Sequence, residues 1–205
     1  KTYKQLFQHY FENKLNDNDV VFCDARLLDK PLLNQQNKTK NILVVHSSHL
    51  DDNKTINQSY KMALENPHKV TQYLLLTEKQ KSDILNVTNI DPDKISIIPH
   101  FIKPHQSTDN VEQLDRFVFI GRIAEEKQIN HILYAYHKFL KYGFTTKLSI
   151  YGRDEFGQQQ KVEQLIEELE LQDNVEINEF TNNPLLEFQK SKASLLTSSF
   201  EGFGL

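Results

Sequence analysis

The feature that most constrains the fold is a series of short apolar runs separated by polar, helix-like stretches. In the first half these are DVVFCDA (Asp19–Ala25), NILVVHS (Asn41–Ser47), QYLLLT (Gln72–Thr77) and ISIIPH (Ile95–His100). Continuous Val, Ile and Leu over so few residues is the signature of strands covered on both faces, as in a parallel sheet. Between the third and fourth runs, EKQKSDILNVTNIDPDK predicts a short helix ended by Asn-rich, Pro-containing turn chemistry, so this part is a β-α-β unit.

A polar stretch containing Pro104, FIKPHQSTDNVEQLD (Phe101–Asp115), interrupts the pattern and is the candidate linker. The strand RFVFIG follows, then a helix whose Ile129, Ile132, Leu133, Tyr136 and Leu140 form one apolar stripe. TKLSIYG, NVEIN and ASLLTS are the next strands, alternating with helices at QQQKVEQLIEELELQ and around NPLLEFQKS. Four strands alternating with three helices predict a doubly wound α/β half-sheet, with crossover helices on both faces. The expected organisation is a partial first domain over 1–105, a linker over 106–115 and a partial second domain over 116–205.

Composition narrows the classes of function. With 38% hydrophobic and 25% charged residues the chain can build packed cores, and a net charge of -4 gives no overall basic field for nucleic acid. The single cysteine, Cys23, allows neither an internal disulfide nor a thiolate zinc site, which fits a reducing, cytoplasmic setting. No apolar run approaches the roughly 18–20 residues that span a bilayer, and the first residues lack the apolar core of a signal peptide. Because the sequence begins with Lys and stops at EGFGL, within what reads as a turn, it is expected to be an internal fragment of a longer protein.

Ligands of open α/β sheets sit at the carboxyl ends of the strands. That directs attention to HSSHL, GRIAEEK, YGRDEFG and SSFEGFGL. In GRIAEEK, Gly121 permits a sharp turn while Arg122 and Lys127 bring two cations to one loop, a bidentate fork and a compact charge suited to a diphosphate. A solvated loop with Lys127 paired to Glu125 or Glu126 is the plain alternative. SFEGFGL reads as a glycine-rich turn into a helix N-terminus, where Gly202 and Gly204 allow close backbone approach, Phe203 lies between them, and Glu201 could accept from sugar hydroxyls. In YGRDEFG, Gly152 offers the same close approach, and Arg153 or Glu155 could meet a ribose or base.

Taken together, GR…EK followed by EGFGL resembles the C-terminal half of the retaining glycosyltransferases built from two Rossmann-like domains (GT-B), in the family with an E-x7-E motif. The resemblance is strongest over Arg116–Leu205. NILVVHSSHL, TEKQKSDIL and ISIIPHFIK extend it to the bacterial branch that contains poly(glycerol- or ribitol-phosphate) α-glycosyltransferases and the enzymes glycosylating Ser-rich or Ser-Asp adhesins.

This resemblance implies an α/β fold of two Rossmann-like domains and transfer of a hexose or N-acetylhexosamine from a UDP-sugar with retention of configuration. Arg122 and Lys127 would clamp the diphosphate, and Glu201 would be the first Glu of the motif, whose second Glu lies beyond Leu205. A histidine after a first-domain strand would reach the donor sugar; His46 and His49 both match, with His49 favoured. The base would be held near INEF, at Phe180. Expected partners are the nucleotide-sugar donor, a polyol-phosphate polymer or Ser-rich protein acceptor, and further subunits in a homo- or hetero-oligomer. The resemblance implies no metal and no cofactor, in a cytoplasmic protein, peripheral at the inner face of the membrane. Asp-x-Asp spacing occurs only at Asp17–Asp19 and Asp91–Asp93, outside the four candidate loops, and His46 and His49 have no acidic third ligand in register for zinc.

Two other classes fit the sequence less well. A catalytically silent partner subunit that binds acceptor polypeptide would be expected to lose the cations or Glu201, and all three are present. A Rossmann dehydrogenase or epimerase needs G-x-G-x-x-G between strand and helix, which the sequence lacks.

Overall fold

The computed structural model describes residues 3–23, 39–47, 49–50, 55–101 and 111–199. It divides into two compact units, with a boundary between Lys103 and Pro104.

The first unit begins with α1 (Tyr3–Lys14) and contains a four-stranded sheet, β1 (Val20–Cys23), β2 (Lys40–Val45), β3 (Gln72–Leu75) and β4 (Ile95–Ile97). All pairings are parallel and the strands lie in sequence order. Parallel neighbours require crossovers, which α2 (Gln58–Glu65) and α3 (Glu78–Val87) supply before and after β3. Each helix starts where a side chain satisfies an orphan amide: Asn57 accepts from Ser59 N, and Thr77 from Gln80 N. Leu43, Val45, Tyr73 and Leu75 pack with Ala63, Leu64 and Ile84 of the two helices to form the core.

The second unit orders its strands β7-β6-β5-β8: β5 (Arg116–Ile120), β6 (Lys147–Tyr151), β7 (Val175–Asn178) and β8 (Ala193–Ser194), again all parallel. The helices α4 (Ile129–Lys141) and α5 (Gln158–Glu168) carry the chain outward to β7, and α6 (Pro184–Lys190) returns it to β8 beside β5. The strand order therefore reverses between β5 and β8, the position at which α/β sheets open a ligand crevice.

Strands β6 and β7 alternate in character. Leu148, Ile150 and Val175 join Phe119 in a core with Ile129, Ile132, Leu133, Val162 and Ile166 of α4 and α5. The intervening positions are polar: Arg116 donates to Ser149, Tyr151, Ser191 and Glu187, and Ser149 donates to Glu176 at 2.6 Å. This face is knit by a charged network that α6 closes through Glu187. The candidate linker lies partly outside the described residues; at its end Leu114 N donates to Lys190 O, which fixes that residue to the second unit.

Candidate active site

Beyond the edge of the second sheet, the loops after β5 and β6 run side by side. Gly121 N donates to Tyr151 O at 3.0 Å, Ile123 N to Arg153 O at 2.8 Å, and Glu155 N to Ile123 O at 3.0 Å. Close approach demands glycine at Gly152, where a Cβ would lie 2.1 Å from the Gly121 carbonyl oxygen. The close approach expected of Gly152 is thus made to Gly121.

Arg122 projects from this pair of loops, with a side chain 58% exposed. Its guanidinium donates to Glu126 at 2.6 Å and to Glu155. Glu126, one of the two carboxylates set against Lys127 from sequence, pairs with Arg122, and Glu155 reaches it from the neighbouring loop.

Lys127 ends a 3-10 turn, Glu125–Lys127, and is followed by Gln128 in the left-handed conformation (φ 47°, ψ 46°). The turn is anchored from across the switch point. Thr197 Oγ1 donates to the carbonyls of Lys127 and Gln128 at 3.0 and 2.9 Å, and Ser199 N donates to Glu126 O at 2.9 Å. Sequence reasoning missed Thr197 and Ser199, which only the strand order brings to the Arg122 loop. Ser199 stands two residues before Glu201. Glu201, Gly202, Phe203 and Gly204 themselves lie outside the described residues.

At the ends of β6 and β7, Arg153 places its guanidinium carbon 5.7 Å from the centroid of the Phe180 ring, a cation–π contact that leaves about half of Phe180 exposed. Gly152 N donates to Asn178 O at 3.3 Å, which ties these two loops together.

The two candidate histidines, His46 and His49, occupy different surroundings. His49 is buried, with its Nε2 3.5 Å from Asp83 Oδ2 of α3 and its carbonyl accepting from Asn57 N. Burial is the main cause holding its pKa below the ordinary imidazole value; Asp83 opposes the shift and Lys79 adds to it. His46 directly follows β2 at the carboxyl edge, and its ring stacks on that of His100 at 5.3 Å between centroids and 8° between planes. Among the described residues no group of three or more His, Cys, Asp or Glu side chains is placed to hold a metal ion, and no helix is long and apolar enough to cross a membrane.

The strand order of the second unit is that of an open α/β sheet with a switch point, and comparison with known proteins gives its family. Residues 102–205, half of the chain, match Glycosyl transferases group 1, and the chain belongs to that family. It is 28% identical, over 98% of its length, to the poly(ribitol-phosphate) alpha-N-acetylglucosaminyltransferase of Staphylococcus aureus (strain COL). It is 30% identical, over its whole length, to the poly(glycerol-phosphate) alpha-glucosyltransferase of Bacillus subtilis (strain 168). The chain spans 41% and 31% of these relatives respectively. A solved structure of a mutant S. aureus TarM in complex with Fondaparinux, alpha-GlcNAc-glycerol and UDP superposes with a TM-score of 0.84 at 27% identity, covering 97% of this chain and 41% of that one. The fold class is that of the two-Rossmann-unit (GT-B) glycosyltransferases.

Proposed function

We propose that the chain is part of a retaining glycosyltransferase that moves glucose or N-acetylglucosamine from a UDP-sugar to a polyol-phosphate polymer. The observation that carries this reading is the assembly at the switch point. Arg122 and Lys127 share one loop after β5, and the segment leading to Glu201 is hydrogen-bonded to that loop through Thr197 and Ser199. Both curated relatives act, by name, on poly(polyol-phosphate), which favours that acceptor over a Ser-rich protein.

In this reading the diphosphate docks on Arg122 and Lys127, which offset the charge that grows on the leaving group as the glycosidic bond breaks. Such preorganised stabilisation contributes several kcal/mol to lowering a barrier. Gly121 and Gly152 keep the loop backbone low beneath the phosphates, Phe180 offers an apolar face to the base, and the Gly202–Phe203–Gly204 turn receives phosphate oxygens. Glu201 accepts from sugar hydroxyls. Of the two candidate histidines, the family resemblance favours His49 over His46 for the donor sugar. The acceptor hydroxyl loses its proton to the departing phosphate on the same face, the path that the family resemblance implies. No metal or cofactor is required, and a UDP-sugar donor places the reaction at the cytoplasmic face of the membrane.

Transfer from radiolabelled UDP-glucose and UDP-N-acetylglucosamine to poly(glycerol-phosphate) and poly(ribitol-phosphate), by the full-length protein with and without EDTA, tests this. The expected outcome is EDTA-insensitive transfer that falls about a hundredfold or more in Arg122→Ala and in Lys127→Ala. Near-normal turnover in either variant would remove the diphosphate assignment.

A further inference from the structure

The helices α4 and α5 lie on the same face of the second sheet, where Ile129, Ile132 and Leu133 share a core with Val162 and Ile166. Their outer faces are therefore neighbours, and they carry opposite charge. No Asp or Glu occurs between Glu126 and Asp154, and the exposed side of α4 presents Tyr134, Lys138 and Lys141 at i, i+4 and i+7. Glu163, Glu167 and Glu168 are exposed on α5, and Glu170 just beyond it, against one exposed cation, Lys161, in its first turn. Among the described residues, no ion pair engages Lys138, Lys141, Glu167 or Glu170. Aromatic rings flank the lysines: Tyr134 is 50% exposed, Tyr142, which caps the helix, 81%, and Phe144 56%.

The two sets of charges also match in height. Both helices begin beyond the carboxyl ends of their strands and run back along the sheet. Counted from the first residue of each helix, Tyr134 and Glu163 are both sixth, Lys138 and Glu167 both tenth, and Lys141 and Glu170 both thirteenth. A surface with a positive helix beside a negative one is complementary to itself. A half-turn about an axis lying between the helices and parallel to them sets α4 of each copy on α5 of the other at equal height. That pairing is closed and isologous, so every contact occurs twice. An anionic lipid surface would be attracted by Lys138 and Lys141 and repelled by the glutamates beside them, and charge therefore favours a second copy over a membrane.

We infer that the outer faces of α4 and α5 form a self-association surface whose occupant is a second copy of this chain. Lys138 and Lys141 of one protomer meet Glu167 and Glu170 of its partner, and Tyr134 and Tyr142 supply aromatic contact area. Two short helices make a small interface, so the dimer is weak and sensitive to salt.

Sedimentation equilibrium of the full-length protein over a range of concentration and salt tests this. The forms compared are wild type, Lys138→Glu/Lys141→Glu, Glu167→Lys/Glu170→Lys, and the variant carrying all of these changes. The positions are exposed, so each form is expected to fold, as circular dichroism reads. Either reversed pair sets like charges against one another and is expected to weaken self-association about tenfold or more at low salt. Combining the two pairs restores opposite charges and is expected to bring association back near the wild-type level. Tyr142→Ala leaves every charge in place and is expected to weaken the dimer about tenfold at all salt concentrations, which keeps the test decisive where a reversed pair fails to fold. A wild type that stays monomeric would overturn the proposal, as would reversed pairs or Tyr142→Ala associating like wild type. Loss in both reversed pairs without recovery in the combined variant would show that these charges do not meet each other, and would overturn it too. Wild type that is monomeric alone but sediments with phosphatidylglycerol vesicles would assign the surface to anionic lipid instead.

Discussion

Gly152 and Gly121 stand so close that no side chain fits between them: a Cβ on Gly152 would lie 2.1 Å from the Gly121 carbonyl oxygen and 3.1 Å from Ile123 Cγ1. The obstruction is backbone, which cannot swing aside as a side-chain tip would. Gly152→Ala is therefore expected to push the loop after β6 away from the Arg122 loop, destabilising the second unit by about 2–3 kcal/mol. Displacement of Arg122 by on the order of 1 Å would lower turnover by roughly a hundredfold. Denaturant unfolding and transfer kinetics on the full-length protein check both, and wild-type stability in the variant would show that the loops do not hold each other.

Gln128 adopts φ 47° between the turn that carries Lys127 and the start of α4. A Cβ in the left-handed region costs about 1–2 kcal/mol, against a loss of roughly 0.5–1 kcal/mol from glycine's greater freedom when unfolded. Gln128→Gly should accordingly stabilise the protein by about 0.5–1 kcal/mol, read as a raised denaturant midpoint. Because Thr197 bonds the carbonyl at this position and not its side chain, donor affinity should be unchanged. A lowered midpoint would mean that the Gln128 side chain contributes more than its backbone strain removes.

Arg122 is held by Glu126 and Glu155 before any donor arrives. Under the proposed function a diphosphate must displace both carboxylates. An exposed ion pair is worth about 0.2–1 kcal/mol, so Glu155→Gln should tighten UDP binding by up to about fivefold at low salt, with the gain shrinking as salt screens the charges. Isothermal calorimetry measures this directly. Weaker binding in the variant would show that Glu155 orients the guanidinium and does not compete for it.

The strands and the Arg122–Lys127 loop were legible in the sequence because each is a local pattern: consecutive Val and Ile, two cations after a glycine. What was not legible depends on topology. Nothing in SLLTSSF announces that Thr197 will bond the Lys127 carbonyl, since that follows from β8 pairing with β5 and not with β7. The separation of His46 from His49 is equally non-local, set by α3 lowering Asp83 onto the second histidine. Arg116 opens an apolar strand and reads from sequence as a flanking charge; its burial follows from partners 33 to 75 residues away.

Arg116 and Glu187 form an ion pair whose side chains are 9% and 15% exposed, so the pair is largely removed from water. Burial alone would raise the Glu187 pKa, but the Arg116 guanidinium and the Tyr151 hydroxyl, which donates at 3.1 Å, outweigh it and hold the carboxyl below its ordinary value. A carboxylate whose pKa is lower folded than unfolded adds stability that is fully present above the unfolded value, near 4.3, and is lost as pH falls through the folded value. At pH 7, Glu187→Gln leaves a buried guanidinium without its counter-charge and should destabilise the second unit by about 3 kcal/mol. As pH falls through the lowered folded value, the wild-type carboxyl takes up a proton and comes to resemble the amide, so the difference between the two proteins should close. Denaturant unfolding of both at a series of pH values from 7 to 3 follows this convergence. A gap that stays constant would show that Glu187 acts through its hydrogen bonds to Arg116 and Tyr151 and not through its charge.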